Sequence, residues 1–265
     1  MISKSPKLIA LLTDFGSLDP YVGVMKGVIL ARAPQTRLID LTHEVPPGNL
    51  TAAAYLLRSS FPFFPVGTVF LCVVDPGVGS ARKPIALKAG GHIFAGPDNG
   101  LFPAALEGIP LGPVVELRNP KHRLKAVSST FHGRDVFAPA AAALANGVAL
   151  SNLGPAVRKP VPGAVPKPIR TKSGWRGEVI WIDRFGNLIT NLGPSHVGKK
   201  SVIHLGVGKI PGLSSHYFQA PKGKPLALMG SSGHLEVSIH QGRADRAFRA
   251  TIGTKVLSVP INALG

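Results

Sequence analysis

The stretch Val69-Phe70-Leu71-Cys72-Val73-Val74, followed by Asp75-Pro76-Gly77-Val78-Gly79-Ser80-Ala81-Arg82, decides the reading of the fold. Six apolar residues running into a turn have the length and composition of a strand covered on both faces. Such strands belong to sheets flanked by helices, and in open α/β sheets ligands bind at their carboxyl ends. Here that end carries a carboxylate, Asp75. A turn with two glycines then returns a cation, Arg82, seven residues later. Carboxylate and guanidinium would hold each other charged and in register. Asp, Pro and Gly are also ordinary turn residues, so the stretch reads equally as a capped turn with a surface arginine.

Working outward, residues 8–12 form a strand candidate ending at Thr13-Asp14-Phe15-Gly16, and residues 21–33 a helix stopped by Pro34. Residues 38–41, 85–88 and 92–95 are further strands, residues 51–60 a helix, and residues 134–146 a helix stopped by Gly147. Alternating strands and helices predict an α/β domain with a mainly parallel sheet over residues 1–163. The proline-rich, basic stretch 154–174 has linker composition, with the linker proper at 164–174. Beyond it, residues 178–182, 188–192, 201–205, 225–229, 235–239 and 255–259 are short strands separated by glycine turns. That pattern predicts a small β-barrel-like domain over 175–265.

With 45% hydrophobic and 16% charged residues, the chain is a folded globular protein rather than a disordered one. Its lone cysteine, Cys72, lies in the apolar run and reads as a small buried hydrophobe. Residues 1–7 hold no apolar core of signal-peptide length, and no stretch reaches the roughly 18 apolar residues of a membrane span. A soluble, cytoplasmic protein is expected. The net charge of +17 raises the question of nucleic acid. The acid-free run between Asp135 and Glu178 nonetheless has only Phe137 and Trp175 as aromatics, so stacking residues are sparse and a nucleic-acid partner is not expected.

Other candidate residues repeat the strand-tip placement of Asp75. Asp14 ends the first strand, Asp98 in Gly96-Pro97-Asp98-Asn99-Gly100 follows another, and Asp19 stands where it can cap the first helix. Three aspartate turns suggest a shared rim. His132, in Phe131-His132-Gly133-Arg134-Asp135, is alone an ordinary structural histidine. Beside Asp75 and Arg82 it completes an acid–base group able to hold a reactive water. Ile182-Asp183-Arg184-Phe185-Gly186-Asn187 combines a carboxylate, an aromatic face and an amide, and Gly230-Ser231-Ser232-Gly233-His234 offers hydroxyls and N–H groups to an anion. Gly193-Pro194-Ser195-His196-Val197-Gly198-Lys199-Lys200 nearly spells a P-loop, but it lacks the hydroxyl residue after the first lysine and precedes strands rather than a helix.

Taken in order, Thr13-Asp14-Phe15-Gly16, Asp19-Pro20-Tyr21-Val22-Gly23, Met25-Lys26-Gly27, Asp75-Pro76-Gly77-Val78-Gly79, Pro97-Asp98-Asn99-Gly100, Phe131-His132-Gly133-Arg134-Asp135, Asp183-Arg184-Phe185-Gly186-Asn187 and Ser231-Ser232-Gly233 resemble the S-adenosyl-L-methionine (SAM) hydroxide adenosyltransferases, relatives of the fluorinase and chlorinase. The resemblance implies SAM as substrate, with no cofactor or metal, and adenosine and L-methionine as products. It implies a homotrimer with sites between subunits. By the same resemblance Asp75, Arg82 and His132 activate the water and Asp14 binds the ribose hydroxyls. Asp19, Asp183 and Ser232 hold the methionine portion, and Phe185, Asn187 and Tyr217 the adenine. The halogenases have a tyrosine in place of Asp75, a serine in place of Gly133 and a tryptophan in place of Gly48. An adenosyl halogenase and a non-catalytic nucleotide- or RNA-binding protein are the competing expectations.

Overall fold

The computed structural model describes residues 7–260. Two compact units make up the chain, Met1–Val165 and Pro166–Gly265. In the first, β1 (Leu8–Thr13), α1 (Tyr21–Arg32), β2 (Arg37–Thr42), α2 (Leu50–Ser60) and β3 (Val69–Val73) alternate in sequence. There follow β4 (Pro84–Ala89), β5 (His92–Pro97), α3 (Leu101–Ala105), β6 (Leu111–Glu116) and α4 (Ala138–Ala145). The sheet order is β2-β1-β3-β5-β4-β6, so β3 lies inside it. β1 pairs in parallel with β2 and β3, and β3 with β5, while β4 runs antiparallel to both its neighbours. The sheet is thus mainly parallel, as its apolar strands predict.

β3 is buried at every residue and serves two cores by alternation. Val69, Leu71 and Val73 pack with Met25 and Ile29 of α1 and with Ala138, Ala141 and Leu144 of α4. Phe70 points to the other side, stacked on Phe94 at 5.2 Å and edge-on to Phe61 at 6.3 Å, with Phe102 of α3 beyond Phe94 at 5.8 Å. Helices therefore cover both faces, which is what a continuous apolar strand requires.

Two helices carry clear end signals. Asn49 caps α2 by accepting from the Ala52 N–H at 3.0 Å. Gly147, at φ +87°, ends α4, with its N–H bonded to Leu144 and that of Val148 to Ala143. The start of the last helix departs from expectation. Residues 134–146 do not form one regular helix, because Gly133–Phe137 is a π-helical turn in which the Ala138 N–H reaches back to the Gly133 carbonyl. Pro139 explains this. It has no N–H to give the Asp135 carbonyl, and that carbonyl accepts from Leu124 instead, at 2.9 Å. π-Turns of this kind concentrate at functional sites, and this one begins directly after His132.

β6 and α3 are not foreseen by the sequence reading. Gly112 and Pro113 mask β6, and Pro113 is tolerated there because β6 is the sheet's edge strand. The first part of the proline-rich stretch is tied to the unit through Val157, whose N–H bonds to Val114 at 2.8 Å.

The second unit holds β7 (Ile169–Arg170), β8 (Trp175–Ile182), β9 (Leu188–Thr190), β10 (Ser201–Leu205), β11 (Gly208–Pro211), β12 (Pro225–Met229), β13 (Leu235–Ile239), α5 (Ala244–Ala247) and β14 (Lys255–Pro260). Its strands pair antiparallel in the order β11-β10-β14-β8-β9-β13-β12, with β7 beside β8. The two ends of that order meet where Ser214 bridges Leu228, which nearly closes a barrel around Val179, Leu188, Ile203, Val237 and Val256. Among the described residues no helix is long and apolar enough to cross a membrane.

Candidate active site

The carboxyl ends of β1 and β3 are adjacent, since Thr13 pairs with Val73. The chain beyond β3 is set by Asn99, whose side-chain amide donates to the Val74 carbonyl at 2.8 Å. Asp75 follows. The turn it opens is closed by Val78 N–H on the Asp75 carbonyl at 3.2 Å and Ser80 N–H on the Gly77 carbonyl at 3.1 Å. Gly79 sits at φ +79°, and a Cβ there would stand 2.6 Å from the Ser129 carbonyl oxygen. Only glycine lets the turn press against the segment that delivers His132.

That approach assembles three side chains. Arg82 donates Nε to Asp75 Oδ1 at 3.0 Å and Nη2 to Oδ2, so the pair is bidentate. Arg82 Nη2 also lies 2.7 Å from His132 Nδ1. The guanidinium carbon is 5.3 Å from the centre of the Phe137 ring, and Nη1 is enclosed without a protein acceptor. Side-chain exposures of 9% for Arg82 and 5% for Asp75 mark a nearly dry ion pair. A buried pair adds little stability over apolar residues of equal size, so its presence asks for a chemical reason.

An arginine only donates. Nδ1 of His132 therefore accepts, and a neutral ring then carries its proton on Nε2. Burial, followed by the neighbouring Arg82 charge, pushes the His132 pKa below its ordinary value, against the smaller opposing pull of Asp75. The group thus presents a carboxylate with lone pairs to spare and an N–H donor, with no charge on the imidazole.

Asp14 stands on the neighbouring strand tip and accepts from the Gly48 N–H at 2.8 Å. Burial raises its pKa, and Asp75 adds to the rise despite the backbone donors that oppose it. The two carboxylates therefore feel each other. Gly48, at φ +69°, supplies a backbone donor that no sequence motif announced. The rings of Phe15, Tyr21 and Phe131 meet edge to face with centroids 5.2–6.0 Å apart. A Cβ on Gly133 would come within 3.1 Å of Met25 Sδ and 3.2 Å of Phe131.

One expectation is corrected. Asp19 does not cap α1, whose N-cap residue is Pro20 with no side-chain cap bond; Asp19 stands exposed just before the helix. Asp98 follows the carboxyl end of β5, which runs parallel to its neighbour β3, and so lies on the same sheet edge as Asp75. It is buried and accepts from the Val161 N–H at 2.8 Å, so it anchors a loop while its neighbour Asn99 braces Val74.

In the second unit Asp183 and Asn187 act as one element, because the Asn187 backbone and side-chain amides each donate to an Asp183 oxygen at 2.9 Å. Phe185 between them is 73% exposed. Tyr217 is anchored by its hydroxyl, which donates to Glu236 Oε1 at 2.6 Å, while the residue stays 41% exposed. Glu236 is buried and also accepts from Ser238 at 2.8 Å. Glu236 was not among the residues singled out from sequence; a charge at an inward strand position was the available signal. Ser232 is partly buried in the turn before β13.

Similarities to known proteins agree with these features. Residues 9–154 match the family described as SAM hydroxide adenosyltransferase N-terminal domain, and residues 177–257 its C-terminal domain. A Thermus thermophilus protein named (R)-S-adenosyl-L-methionine hydrolase is 43% identical over 252 residues, 92% of this chain and 96% of that protein. A Salinispora arenicola protein of the same name is 40% identical over 94% of this chain and 96% of its own length. A fluorinase of an Actinoplanes species is more distant, at 29% identity over 74% of each chain. The crystal structure of an uncharacterized conserved protein from Thermotoga maritima superposes with a TM-score of 0.89 at 33% identity, covering 95% of this chain and 99% of that one. With both domains present in order along most of its length, the chain belongs to the SAM hydroxide adenosyltransferase family.

Proposed function

We propose that this protein hydrolyses S-adenosyl-L-methionine to adenosine and L-methionine by attack of water on the ribose C5′. The observation that carries the reading is the nearly dry Asp75–Arg82 ion pair at the end of β3 with His132 against it. The leaving group is a neutral thioether departing from a sulfonium, so no acid is needed to expel it. What the reaction needs is a desolvated, correctly aimed nucleophile. In this reading the water donates to a free lone pair of Asp75 and accepts from His132 Nε2–H. As the C–O bond forms, the C–S bond breaks with its electron pair going to sulfur, and the water proton passes to Asp75 and then to solvent. Arg82 holds carboxylate and imidazole in place.

Asp14 takes the ribose hydroxyls, where a carboxylate suits a cis-diol. Asp19, Asp183 and Ser232 hold the methionine portion, and Phe185, Asn187 and Tyr217 the adenine. The anchored hydroxyl and the exposure of Tyr217 support a stacking role. The relatives' names specify the (R) epimer, and the same preference is proposed here.

A homotrimer in which a neighbouring copy completes each site is part of the proposal. Exposed apolar side chains support it, with Leu18 at 101%, Phe185 at 73% and Phe218 at 77%. Light scattering should give three times the mass of one chain, and a single-chain mass would refute the assembly.

The activity is tested by incubating the protein with the separate SAM epimers, with and without chloride, and resolving the products by chromatography. Adenosine and methionine are expected. 5′-Chloro-5′-deoxyadenosine would make it a halogenase, and no product would leave only a binding protein.

A further inference from the structure

The 13–16 turn that presents Asp14 is held by a second polar chain outside the Asp75 cluster. Thr13 Oγ1 lies 2.8 Å from His43 Nδ1 and accepts from the Phe15 N–H at 3.3 Å. His43 Nε2 lies 3.0 Å from Asp40 Oδ1, and Lys26 donates to Asp40 Oδ2 at 2.6 Å. The Gly16 N–H donates to the His43 carbonyl at 2.8 Å. The residue between Thr13 and Phe15 is Asp14 itself, gripped on its other side by Gly48.

Threonine, histidine and aspartate in a row have the composition of a hydrolytic triad, but Thr13 is fully buried and no substrate reaches it. The chain therefore acts on structure. The Thr13 hydroxyl, whose oxygen accepts from the Phe15 N–H, donates to Nδ1, while Nε2 is buried at ion-pair distance from Asp40 without the angle of a hydrogen bond. Lys26 balances the carboxylate. His43 thus reaches both ends of the turn, through its ring at Thr13 and its backbone carbonyl at Gly16, and stands beside the Asp40–Lys26 pair that joins β2 to α1.

We propose that His43 is a positioning residue that sets the orientation of Asp14 toward the ribose hydroxyls of the substrate. The proposal rests on the reading of Asp14 as the ribose carboxylate. It predicts that loss of His43 is felt through those hydroxyls and not through the nucleophile, and that it raises KM more than it lowers kcat.

The test measures kcat and KM of wild type, His43→Ala, His43→Asn, Asp40→Asn and Asp14→Ala on SAM and on its 2′-deoxy analogue. His43→Ala should raise KM for SAM about tenfold and change KM for the deoxy analogue less than threefold, because the contact it supports is already missing there. His43→Asn keeps a polar atom at the Nδ1 position and should recover most of the loss. Asp40→Asn, at a partly exposed site, should show the same pattern more weakly and stands in should His43→Ala not fold. If Asp14→Ala discriminates the two substrates and the His43 and Asp40 variants do not, the proposal is overturned while the reading of Asp14 survives. If Asp14→Ala weakens both substrates equally, that reading fails and the proposal falls with it.

Discussion

Arg82 Nη2 stands 2.7 Å from His132 Nδ1 and also donates to Asp75 Oδ2, while Nε of the same guanidinium donates to Asp75 Oδ1. The contact is possible only with an unprotonated Nδ1, so the active form carries a neutral His132. Burial and then Arg82 hold its pKa below the ordinary 6.5. A depressed pKa means the neutral form predominates at pH 7 and is lost as pH falls through the folded-state value. The acid limb of kcat/KM should therefore lie below 6.5, and an NMR titration of His132 should give the same midpoint. In Arg82→Gln that midpoint should rise. A His132 that titrates at or above the ordinary value in the wild type would contradict this arrangement.

Asp75→Asn keeps the shape of the side chain and removes its charge. Turnover should drop by about 10²–10⁴, with SAM affinity by calorimetry within a few-fold of wild type. Equal losses in binding and turnover would move Asp75 from the chemistry to substrate binding.

Arg82→Lys keeps a positive charge but cannot span Asp75 and His132 together, since an ammonium lacks the planar fork. A fall in kcat of about 10²–10³ is expected, on the scale of losing one preorganised donor. Near-wild-type activity would show that charge alone suffices.

The readability of this chain varied with the physical origin of each feature. The 69–74 run, the glycine end of α4 and the antiparallel strands of the second unit follow from local pattern, and the structure reproduces strands 201–205, 225–229 and 235–239 to the residue. The meeting of Asp75, Arg82 and His132 was legible only as a possibility, because it depends on Gly79 letting segment 129–132 approach. Two features depend on long-range bonds that no motif encodes, the Gly48 donor to Asp14 and the brace from Asn99 to Val74. The π-turn has a local cause in Pro139, whose missing N–H breaks the regular helix. The strand-tip position of Asp98 is legible in the same way as that of Asp75, whereas its bond to Val161, from a loop distant in sequence, is not.

Gly79→Ala should be costly for stability. The left-handed backbone alone costs about 1–2 kcal/mol, and the new Cβ would meet the Ser129 carbonyl at 2.6 Å. A lower melting temperature with reduced turnover is expected. An unchanged melting temperature would show that the turn has another conformation available.

Asn99→Ala should cost about 1–3 kcal/mol by leaving the Val74 carbonyl without its donor. Because Asp75 is the next residue, kcat should fall more than KM rises. A purely thermodynamic effect, with kinetics intact in the folded fraction, would separate the brace from the chemistry.

The central claim is that water, prepared by Asp75, Arg82 and His132, attacks the ribose carbon. Its most direct test is turnover in ¹⁸O-labelled water with mass spectrometry of both products. The account predicts one labelled oxygen in the 5′-hydroxyl of adenosine and none in methionine, with no labelled product from Asp75→Ala. Unlabelled adenosine, label in methionine, or full activity in Asp75→Ala would contradict it.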